Sequence, residues 1–381
     1  MANVLVIGAG RVGSTIARLL ADSGDYRVTL TDRDEEPLRA VETGPTLATA
    51  RLDIADVSAL AQHLEGQFAV LSAAPFQHTV AIARAAAEAG VHYLDLTEDV
   101  RSTREVKQIA STARTAFIPQ CGLAPGFISI VASDIARRFD RLDAVRLRVG
   151  ALPRYPSNGL NYNLTWSTDG VINEYIEPCE AIVGGKRVEV PAMEEREELS
   201  LDGVAYEAFN TSGGLGTLCE TFHGKVETLN YRTIRYPGHA AIMKVLLHDL
   251  ALRHRREVLK DVLEHALPMT LQDVVIVFVT VSGQRDGRLV QETYANKIYG
   301  SEVGGRQTSA IQLTTASSIC VVLDLLASGR LPGHGFVRQE DIGLDAFLSN
   351  RFGRYYRQDQ TIQGGATQGG TAGGHRDRLA A

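Results

Sequence analysis

Short apolar runs alternate with helical patterns from residue 1 to about residue 120. Each run has the length of a buried strand and is followed by a segment whose apolar residues recur at helical spacing. The runs cover residues 4–7, 28–31, 68–72, 93–96 and 116–119. This alternation predicts an α/β fold built on a doubly wound parallel sheet.

The pattern changes after residues 121–126, where glycine and proline interrupt the chain. Candidate strands follow at residues 145–149, 226–231 and 273–281, and Asp286-Gly287 predicts a hairpin turn before residues 288–297. Residues 308–327 predict a long helix that packs back on the first domain. We therefore predict one domain from residues 1–123 plus about 306–357, and a second, mixed α+β domain from residues 124–305. A disordered glycine-rich tail is predicted at residues 358–381.

Composition excludes several classes of partner and site. The 381 residues carry a net charge of -6, which gives no basic field for a nucleic acid. Every apolar run is interpreted as too short to cross a bilayer, so we predict no membrane partner and a cytoplasmic protein. The four cysteines form no C-x-x-C pair, and we predict no metal site.

The first strand leads into the motif Gly-Ala-Gly-Arg-Val-Gly at residues 8–13, which opens a helix. Gly8 permits a tight turn, Gly10 lets the backbone approach a pyrophosphate, and Gly13 lets the helix pack close to the strand. The helix N-terminus, with Arg11 and Val12, offers N–H groups to phosphates. This context predicts a Rossmann-type dinucleotide site.

The second strand ends at Asp32, nineteen residues after Gly13. A carboxylate there accepts hydrogen bonds from both adenosine ribose hydroxyls and repels a 2′-phosphate, so we predict NAD as the cofactor. Arg33 can contact a 2′-phosphate, and NADP is therefore not excluded. The alternative interpretation of Asp32 is a turn cap.

Two further segments are candidates for cofactor contact. The small residues Ala73 and Ala74, with Pro75, follow a strand and would let the backbone pass close to the nicotinamide half. The alternative interpretation of these three residues is an ordinary connection from a strand to a loop. Asp53 is a candidate for the adenine edge, with a turn or helix cap as an equal alternative.

Candidate substrate groups follow later strands. Tyr93 and Asp95 end the fifth strand, and Asp95 is predicted to hold a cationic amine, whereas Glu98 and Asp99 are interpreted as the start of the next helix. Carboxyl ends of parallel strands are where such sheets bind ligands.

The second domain adds a glycine-rich segment at residues 210–216, which is not a P-loop and is a candidate for presenting N–H groups to a carboxylate. Arg235 is predicted to pair with a substrate carboxylate, and His239 to transfer protons. A helix start is the alternative for His239. Trp166 is interpreted as a core or subunit contact as readily as a substrate wall.

The fingerprint, residues 122–126, residues 210–214 and residues 231–239 together resemble the saccharopine dehydrogenase family, over residues 1 to about 357. Within it they are most similar to the NAD-dependent lysine 6-dehydrogenases. The resemblance implies oxidation of the amine-bearing ε-carbon of a lysine skeleton, substrate contacts at Gly122 and Leu123, and subunit contacts through the second domain. We expect a homodimer or homotetramer.

Within this family, members that act on saccharopine tend to carry Asp in the third position of the 122–126 turn, where this chain has Ala124. The resemblance therefore favours free lysine, oxidised to allysine with release of ammonia. The alternatives are a glutamate-forming saccharopine dehydrogenase, an opine-type dehydrogenase and a non-enzymatic NAD-binding sensor.

Overall fold

The structure is a computed structural model that describes residues 1–357, and the predicted tail lies outside these residues. The strands in chain order are β1 (Ala2–Ile7), β2 (Tyr26–Asp32), β3 (Leu47–Arg51), β4 (Ala69–Ser72), β5 (His92–Asp95), β6 (Ala116–Ile118), β7 (Arg141–Pro153), β8 (Cys179–Val183), β9 (Lys186–Val190), β10 (Glu197–Leu201), β11 (Val204–Asn210), β12 (Val226–Arg235), β13 (Asp273–Arg285), β14 (Arg288–Tyr299), β15 (Ser301–Val303), β16 (Arg306–Thr308) and β17 (Gly335–Phe336).

The helices in chain order are α1 (Arg11–Asp22), α2 (Glu35–Arg39), α3 (Val57–Leu64), α4 (Thr79–Ala89), α5 (Val100–Ala110), α6 (Phe127–Ala136), α7 (Thr168–Ile176), α8 (Leu218–Thr221), α9 (His239–Lys244), α10 (Arg256–Ala266), α11 (Ala310–Ala327) and α12 (Leu344–Ser349). Short 3₁₀ and π turns connect several of them.

The first sheet is parallel, with the order β17-β6-β5-β4-β1-β2-β3. Val4 and Val6 pack on one face and Leu5 and Ile7 on the other, so both faces of β1 are buried under helices. The sheet reverses its order beside β1, where a doubly wound sheet opens its ligand crevice. The predicted α/β fold is confirmed. The strand β3 was not among the predicted runs because its residues are only partly buried.

The second sheet is mixed, with the order β10-β11-β12-β7-β13-β14 and with β8 and β9 attached through β12. Its long central strands β7 and β13 pair antiparallel over 13-residue lengths, and β12 runs parallel to β7. The predicted hairpin joins β13 to β14, and Asp286 and Gly287 both have positive φ, as a type I′ turn requires. The predicted mixed second domain is present, and the strands β8–β11 were missed.

The helix α11 returns the chain to the first domain and packs against α1. Ser309 and Gln312 form a capping box at its start, and Asp273 of β13 accepts hydrogen bonds from the N–H groups of Ala310 and Ile311. The prediction that every apolar run is too short to cross a bilayer was wrong for this helix, whose 18 residues have a mean hydropathy of 1.7. Because 78% of it is buried inside the protein, its apolar character is that of a core helix.

Candidate active site

A cleft of about 680 Å³ lies between the two sheets. The first domain contributes residues 10–13, 73–77 and 96–98 to its walls, and the second contributes residues 164–170, the ends of β7 and β12, and Glu174 of α7. The turn at residues 122–125 and the first turn of α11 line the cleft between them. The volume and the position at the carboxyl ends of β1, β4 and β5 are those of a small-molecule site.

The glycine loop forms one end of the cleft, and its three glycines have separate roles. Gly8 has φ +102, and a Cβ there would lie 2.8 Å from the carbonyl oxygen of Ala73. A Cβ on Gly13 would lie 1.8 Å from the carbonyl oxygen of Gly8. A Cβ on Gly10 would meet nothing within 4 Å, so the space above Gly10 is open to the cleft. The helix α1 carries no acidic residue in its first turn and no side-chain cap. Its first N–H groups therefore fit a dinucleotide pyrophosphate, with Arg11 and Val12 beside it.

The carboxylate of Asp32 is fixed against this loop. Its Oδ2 accepts a hydrogen bond from the N–H of Ala9 at 2.7 Å, and its Oδ1 accepts one from the N–H of Asp34 at 3.0 Å. Arg33 projects into solvent beside it, with 73% of its side chain exposed, and Arg51 donates to the carbonyl oxygen of Arg33 at 3.0 Å. Arg33 also pairs with Asp34 at 3.5 Å, so the edge of the site holds two acidic groups and two basic ones.

Ala73, Ala74 and Pro75 line the cleft after β4, as predicted. Asp53 does not line it. The Oδ1 atom of Asp53 accepts a hydrogen bond from the N–H of Ala55 at 2.9 Å, which makes Asp53 a turn residue. This hydrogen bond supports the turn alternative for Asp53.

Gly122 and Leu123 also lie in the wall of the cleft, in the turn that joins the two domains. Gly126 ends this turn with φ +132, and a Cβ there would lie 2.1 Å from the carbonyl oxygen of Gly122. Glycine is required at residue 126 to fold the turn tightly enough to expose Gly122 and Leu123 to the cleft.

Arg235 reaches the opposite side of the cleft from β12, with 2% of the residue exposed. Its Nε donates to the hydroxyl oxygen of Tyr175 at 2.9 Å, and its Nη1 donates to Thr233 and to the carbonyl oxygen of Ile234. The guanidinium carbon lies 4.9 Å from the ring centroid of Tyr162. Nη2 has no hydrogen-bond partner among residues 1–357, so the group retains donors for a ligand.

His239 lies behind Arg235 and does not reach the cleft. Its Nδ1 is 2.9 Å from the carbonyl oxygen of Leu160, so Nδ1 carries the proton, and Nε2 accepts a hydrogen bond from the hydroxyl of Tyr175 at 3.0 Å. Burial and the charge of Arg235 lower the pKa of His239 to about 3. The structure does not support the predicted proton transfer by His239, because the imidazole is buried, neutral and bonded on both nitrogens. Its Nε2 fixes the hydroxyl of Tyr175, and that hydroxyl accepts the hydrogen bond from Nε of Arg235.

The structure also removes Tyr93 and Asp95 from direct contact with a ligand. Asp95 is 1% exposed, and its carboxylate accepts hydrogen bonds from the hydroxyl of Tyr93 and from the N–H groups of Thr97 and Gln120. Burial raises the pKa of Asp95 to about 6, although these hydrogen bonds oppose the shift. The structure does not support the predicted amine contact of Asp95 or the predicted substrate contact of Tyr93, because neither residue lines the cleft and both side chains are hydrogen-bonded within the protein.

The carboxylate that lines the cleft after β5 belongs to Glu98, whereas the sequence interpretation assigned this position to Asp95. Asp99 does cap α5, accepting a hydrogen bond from the N–H of Ser102 at 2.7 Å, but Glu98 turns into the cleft. Burial, followed by a smaller contribution from the charges of Asp99 and Asp95, raises the pKa of Glu98 to about 7. Its assignment to the helix start was wrong because the cap needs only one carboxylate.

Glu174 is a second buried carboxyl group in the same cleft, and sequence reasoning missed it. It is 7% exposed, and burial together with the charge of Glu98 raises its pKa to about 8, while Arg235 opposes the shift. Within residues 1–357 it forms no salt bridge and no side-chain hydrogen bond. A signal was present in the sequence, since Glu174 lies between apolar residues 171–172 and 175–176, on a helix with a buried face.

The glycine-rich segment at residues 210–216 packs against these groups. The N–H of Ser212 donates to the carbonyl oxygen of Glu174 at 3.0 Å, and a Cβ on Gly213 would lie 2.6 Å from the carbonyl oxygen of Glu98. Neither Ser212 nor Gly213 lines the cleft. The segment therefore supports both glutamates from behind, and its predicted N–H contact to a substrate carboxylate is not seen.

Trp166 lines the cleft above α7. A Cβ on Gly170 would lie 2.3 Å from its ring, so the indole is seated on the backbone of α7. Thr165 beside it also lines the cleft, and its hydroxyl is buried without a hydrogen-bond partner in the described part of the chain. No group of three or more metal-ligating side chains is found within residues 1–357.

Two family models match the chain. The saccharopine dehydrogenase NADP binding domain matches residues 4–118, and the saccharopine dehydrogenase C-terminal domain matches residues 122–352. The boundary between them falls at the turn that lines the cleft. A nucleotide cofactor is thereby supported for the first domain, with the choice between NAD and NADP left open.

Relatives of known activity match about half of the chain. Alpha-aminoadipic semialdehyde synthase of Mus musculus is 25% identical over 194 residues, which are 49% of this chain and 21% of that protein. Saccharopine dehydrogenase [NADP(+), L-glutamate-forming] of Saccharomyces cerevisiae is 25% identical over 176 residues, which are 45% of this chain and 40% of that protein. The matched regions cover less than half the length of each of these relatives.

A solved structure extends the likeness to the whole fold. The saccharopine dehydrogenase (L-Glu forming) of Saccharomyces cerevisiae superposes with a TM-score of 0.73, covering 89% of this chain and 94% of that chain at 18% identity. At this identity the match establishes a shared fold.

Proposed function

Because the chain belongs to the saccharopine dehydrogenase family of oxidoreductases, we propose that it oxidises the ε-carbon of L-lysine with NAD. The products are allysine, which cyclises to Δ1-piperideine-6-carboxylate, together with NADH and ammonia. The observation that carries this choice is the charge of the substrate half of the cleft.

The substrate half holds one guanidinium and a surplus of carboxyl groups. Arg235 is the single basic side chain lining it within residues 1–357, whereas Glu98, Glu174, Asp169 and Glu264 all line it. Asp169 and Glu264 are exposed, and Asp169 pairs with Lys260 at 2.7 Å, so Glu98 and Glu174 are the carboxyl groups left without a cation partner inside. Lysine has one carboxylate and two ammonium groups, which match one guanidinium and paired carboxylates. Saccharopine has three carboxylates, and two of them would find no basic partner among the described residues of this half, at a cost of several kcal/mol for each charge buried unpaired.

The first domain has the residues to hold the dinucleotide. The N–H groups at the start of α1 and the open space above Gly10 suit its pyrophosphate, and Asp32 suits its adenosine ribose. When bound, the nicotinamide supplies the hydride acceptor. Ala73, Ala74 and the turn at Gly122 lie between this end and the substrate half, and their small side chains leave room for close approach.

Arg235 binds the substrate carboxylate and so orients the chain of lysine across the cleft. Its own direction is set by Tyr175 and by the cation–π contact with Tyr162. With the carboxylate held at one end, the ε-nitrogen is directed to the other polar groups of the cleft, the carboxyl groups of Glu98 and Glu174. Trp166 and Leu123 form apolar wall beside the methylene chain and exclude water from it.

A screen of substrates tests the proposal. The purified protein is assayed for NAD and NADP reduction with L-lysine, saccharopine, and cadaverine, which is lysine without its carboxylate. We expect lysine to be oxidised, with kcat/KM at least about 100-fold above that of cadaverine, because the Arg235 pairing contributes about 3 kcal/mol. Reduction with saccharopine but not with lysine would refute the substrate assignment. Absence of turnover with every amine, together with tight dinucleotide binding, would favour a sensor.

A further inference from the structure

Two carboxyl groups from different domains line the substrate half of the cleft, and they are near enough that the charge of Glu98 raises the pKa of Glu174. Glu98 comes from the loop after β5, and Glu174 comes from α7. The segment at residues 210–216 contacts both, because Ser212 bonds to the backbone of Glu174 and Gly213 packs against the backbone of Glu98. Their proximity is therefore built by a dedicated connection between the two domains.

Neither carboxyl group is neutralised by the protein. Arg235 is near enough to lower the pKa of Glu174, but no salt bridge joins the two within residues 1–357. Its Nε and Nη1 are bonded instead to Tyr175, Thr233 and Ile234. The other titratable groups close enough to influence Glu174 electrostatically are neutral phenols and a thiol, from β8, β12, α7 and the segment before it: Tyr162, Tyr175, Cys179 and Tyr231. A buried carboxyl group with an open face and no partner is a group kept available for a ligand.

We propose that Glu174 is the group that accepts the proton from the ε-ammonium of the substrate. The carboxylate of Glu98 beside it makes Glu174 a stronger proton acceptor. This proposal rests on the proposed function, because it requires an amine substrate whose nitrogen arrives protonated. It assigns to Glu174 the role that the sequence suggested for His239.

The step balances as follows. The ε-ammonium transfers one proton to the carboxylate of Glu174, which leaves a lone pair on nitrogen. As the bond between the ε-carbon and its hydrogen breaks, the hydride leaves with both electrons to NAD, and the nitrogen lone pair forms the C=N bond. Water then adds to the ε-carbon, and ammonia leaves to give the aldehyde. Glu174 returns its proton to solvent before the next turnover.

The environment of Glu174 suits this task. The ammonium of lysine has a reference pKa of about 10.4. Burial and the charge of Glu98 raise the pKa of Glu174 to about 8, which brings acceptor and donor closer together. A glutamate with the ordinary pKa would hold the transferred proton too weakly to compete with the amine nitrogen of the substrate.

Kinetics of matched variants test the assignment. Glu174→Gln keeps the shape of the protonated side chain and removes the acceptor, so kcat for lysine should fall about 100-fold or more. Glu174→Asp should recover part of that loss. Glu98→Gln should leave more activity than Glu174→Gln, and it should move the acidic limb of the kcat/KM profile to lower pH, because the carboxylate that raises the pKa of Glu174 is gone. Glu189→Gln, an exposed position on β9, serves as the control and should match the wild type.

A measurement without cofactor or substrate tests the same carboxyl group. Because the folded-state pKa of Glu174 is raised, the stability it contributes is present below the usual glutamate pKa and is lost as pH rises through about 8. The urea midpoint of the wild type should therefore fall between pH 6 and pH 9. That fall should be smaller in Glu174→Gln and unchanged in Glu189→Gln.

The outcomes separate the two proposals. If the wild type oxidises lysine and Glu174→Gln retains wild-type kcat, the role of Glu174 is refuted while the proposed function stands. If the urea midpoint of Glu174→Gln keeps the pH dependence of the wild type, the raised pKa is refuted. If lysine is not a substrate but another amine is, the proposed function fails, and the same variants assayed with that amine decide the role of Glu174.

Discussion

The two ends of the cleft are built in different ways. The dinucleotide end is formed by backbone from one continuous segment, residues 8–13, with one carboxylate from the next strand. The substrate end is formed by side chains from separate segments, with Glu98 from one domain and Glu174 and Arg235 from the other. Recognition of the dinucleotide by backbone N–H groups requires glycines that let it approach. Recognition of a substrate by side chains requires charged groups in fixed orientations.

The difference extends to the energetics of the two ends. The glycine loop is held by close packing, in which Gly8 and Gly13 lie against neighbouring backbone. The substrate end instead buries charge, and burial, with a smaller contribution from neighbouring carboxylates, raises the pKa values of Glu98 and Glu174. Unpaired buried carboxyl groups destabilise a fold, so their presence indicates a functional requirement.

The largest effect is expected from a substitution that violates packing at the dinucleotide end. Gly13→Ala places a Cβ 1.8 Å from the carbonyl oxygen of Gly8, so α1 must move away from β1. We expect a loss of about 3 kcal/mol or more in the free energy of unfolding, measured by urea denaturation.

Gly10→Ala is the matched control for that variant, because its Cβ meets nothing within 4 Å and its φ of -62 suits any residue. Its unfolding free energy should change by less than about 1 kcal/mol, while its dinucleotide affinity should fall about tenfold as the methyl group enters the phosphate space. Equal stability losses in the two variants would contradict the distinct roles assigned to Gly10 and Gly13.

A smaller effect is expected at the substrate end from His239→Phe, which removes the acceptor of the Tyr175 hydroxyl. Tyr175 and then Arg235 lose their fixed orientation, so KM for lysine should rise about tenfold while kcat changes less. The pH profile of kcat/KM should keep its shape, because the pKa of His239 is about 3 and the imidazole does not titrate in the assay range.

Tyr175→Phe is the companion variant, since it removes the bond between Tyr175 and His239 together with the bond from Nε of Arg235, and it leaves the imidazole. It should reproduce the rise in KM caused by His239→Phe. If the His239 variant instead loses a limb of its pH profile between pH 5 and pH 8, the imidazole takes part in proton transfer and the positioning role is wrong.

The same contrast explains what could be predicted from the sequence. The strand rhythm, the glycine fingerprint and the hairpin at Asp286-Gly287 are local patterns, and the fold and the dinucleotide end followed from them. Ala73 and Gly122 were also placed in the cleft, from a strand exit and from a family resemblance.

The substrate end was only partly predictable, because which polar side chain faces a cleft depends on contacts between segments far apart in the chain. Asp95 lies three residues before Glu98, yet the N–H groups of Thr97 and Gln120 turn its carboxylate inward. His239 follows Arg235 closely in sequence, but the helix start at residue 239 directs its ring behind the guanidinium. Neither arrangement has a local signal.

The smallest expected effect concerns the choice between NAD and NADP at the edge of the dinucleotide end. Asp32 is fixed by the N–H groups of Ala9 and Asp34 and favours NAD. The side chain of Arg33 is 73% exposed, and its ion pair with Asp34 at 3.5 Å lies at the surface, where a 2′-phosphate can replace it. An exposed ion pair contributes about 1 kcal/mol or less, so Arg33→Ala should raise KM for NADP about three- to fivefold and leave KM for NAD within about twofold. Arg27→Ala, at the exposed far end of β2, controls for the loss of one positive charge.

The effect of Arg33→Ala should shrink at high salt, because attraction between solvent-exposed charges is screened. An equal rise in KM for both dinucleotides would mean that Arg33 contacts a part that they share, and the preference for NAD would then depend on Asp32 alone.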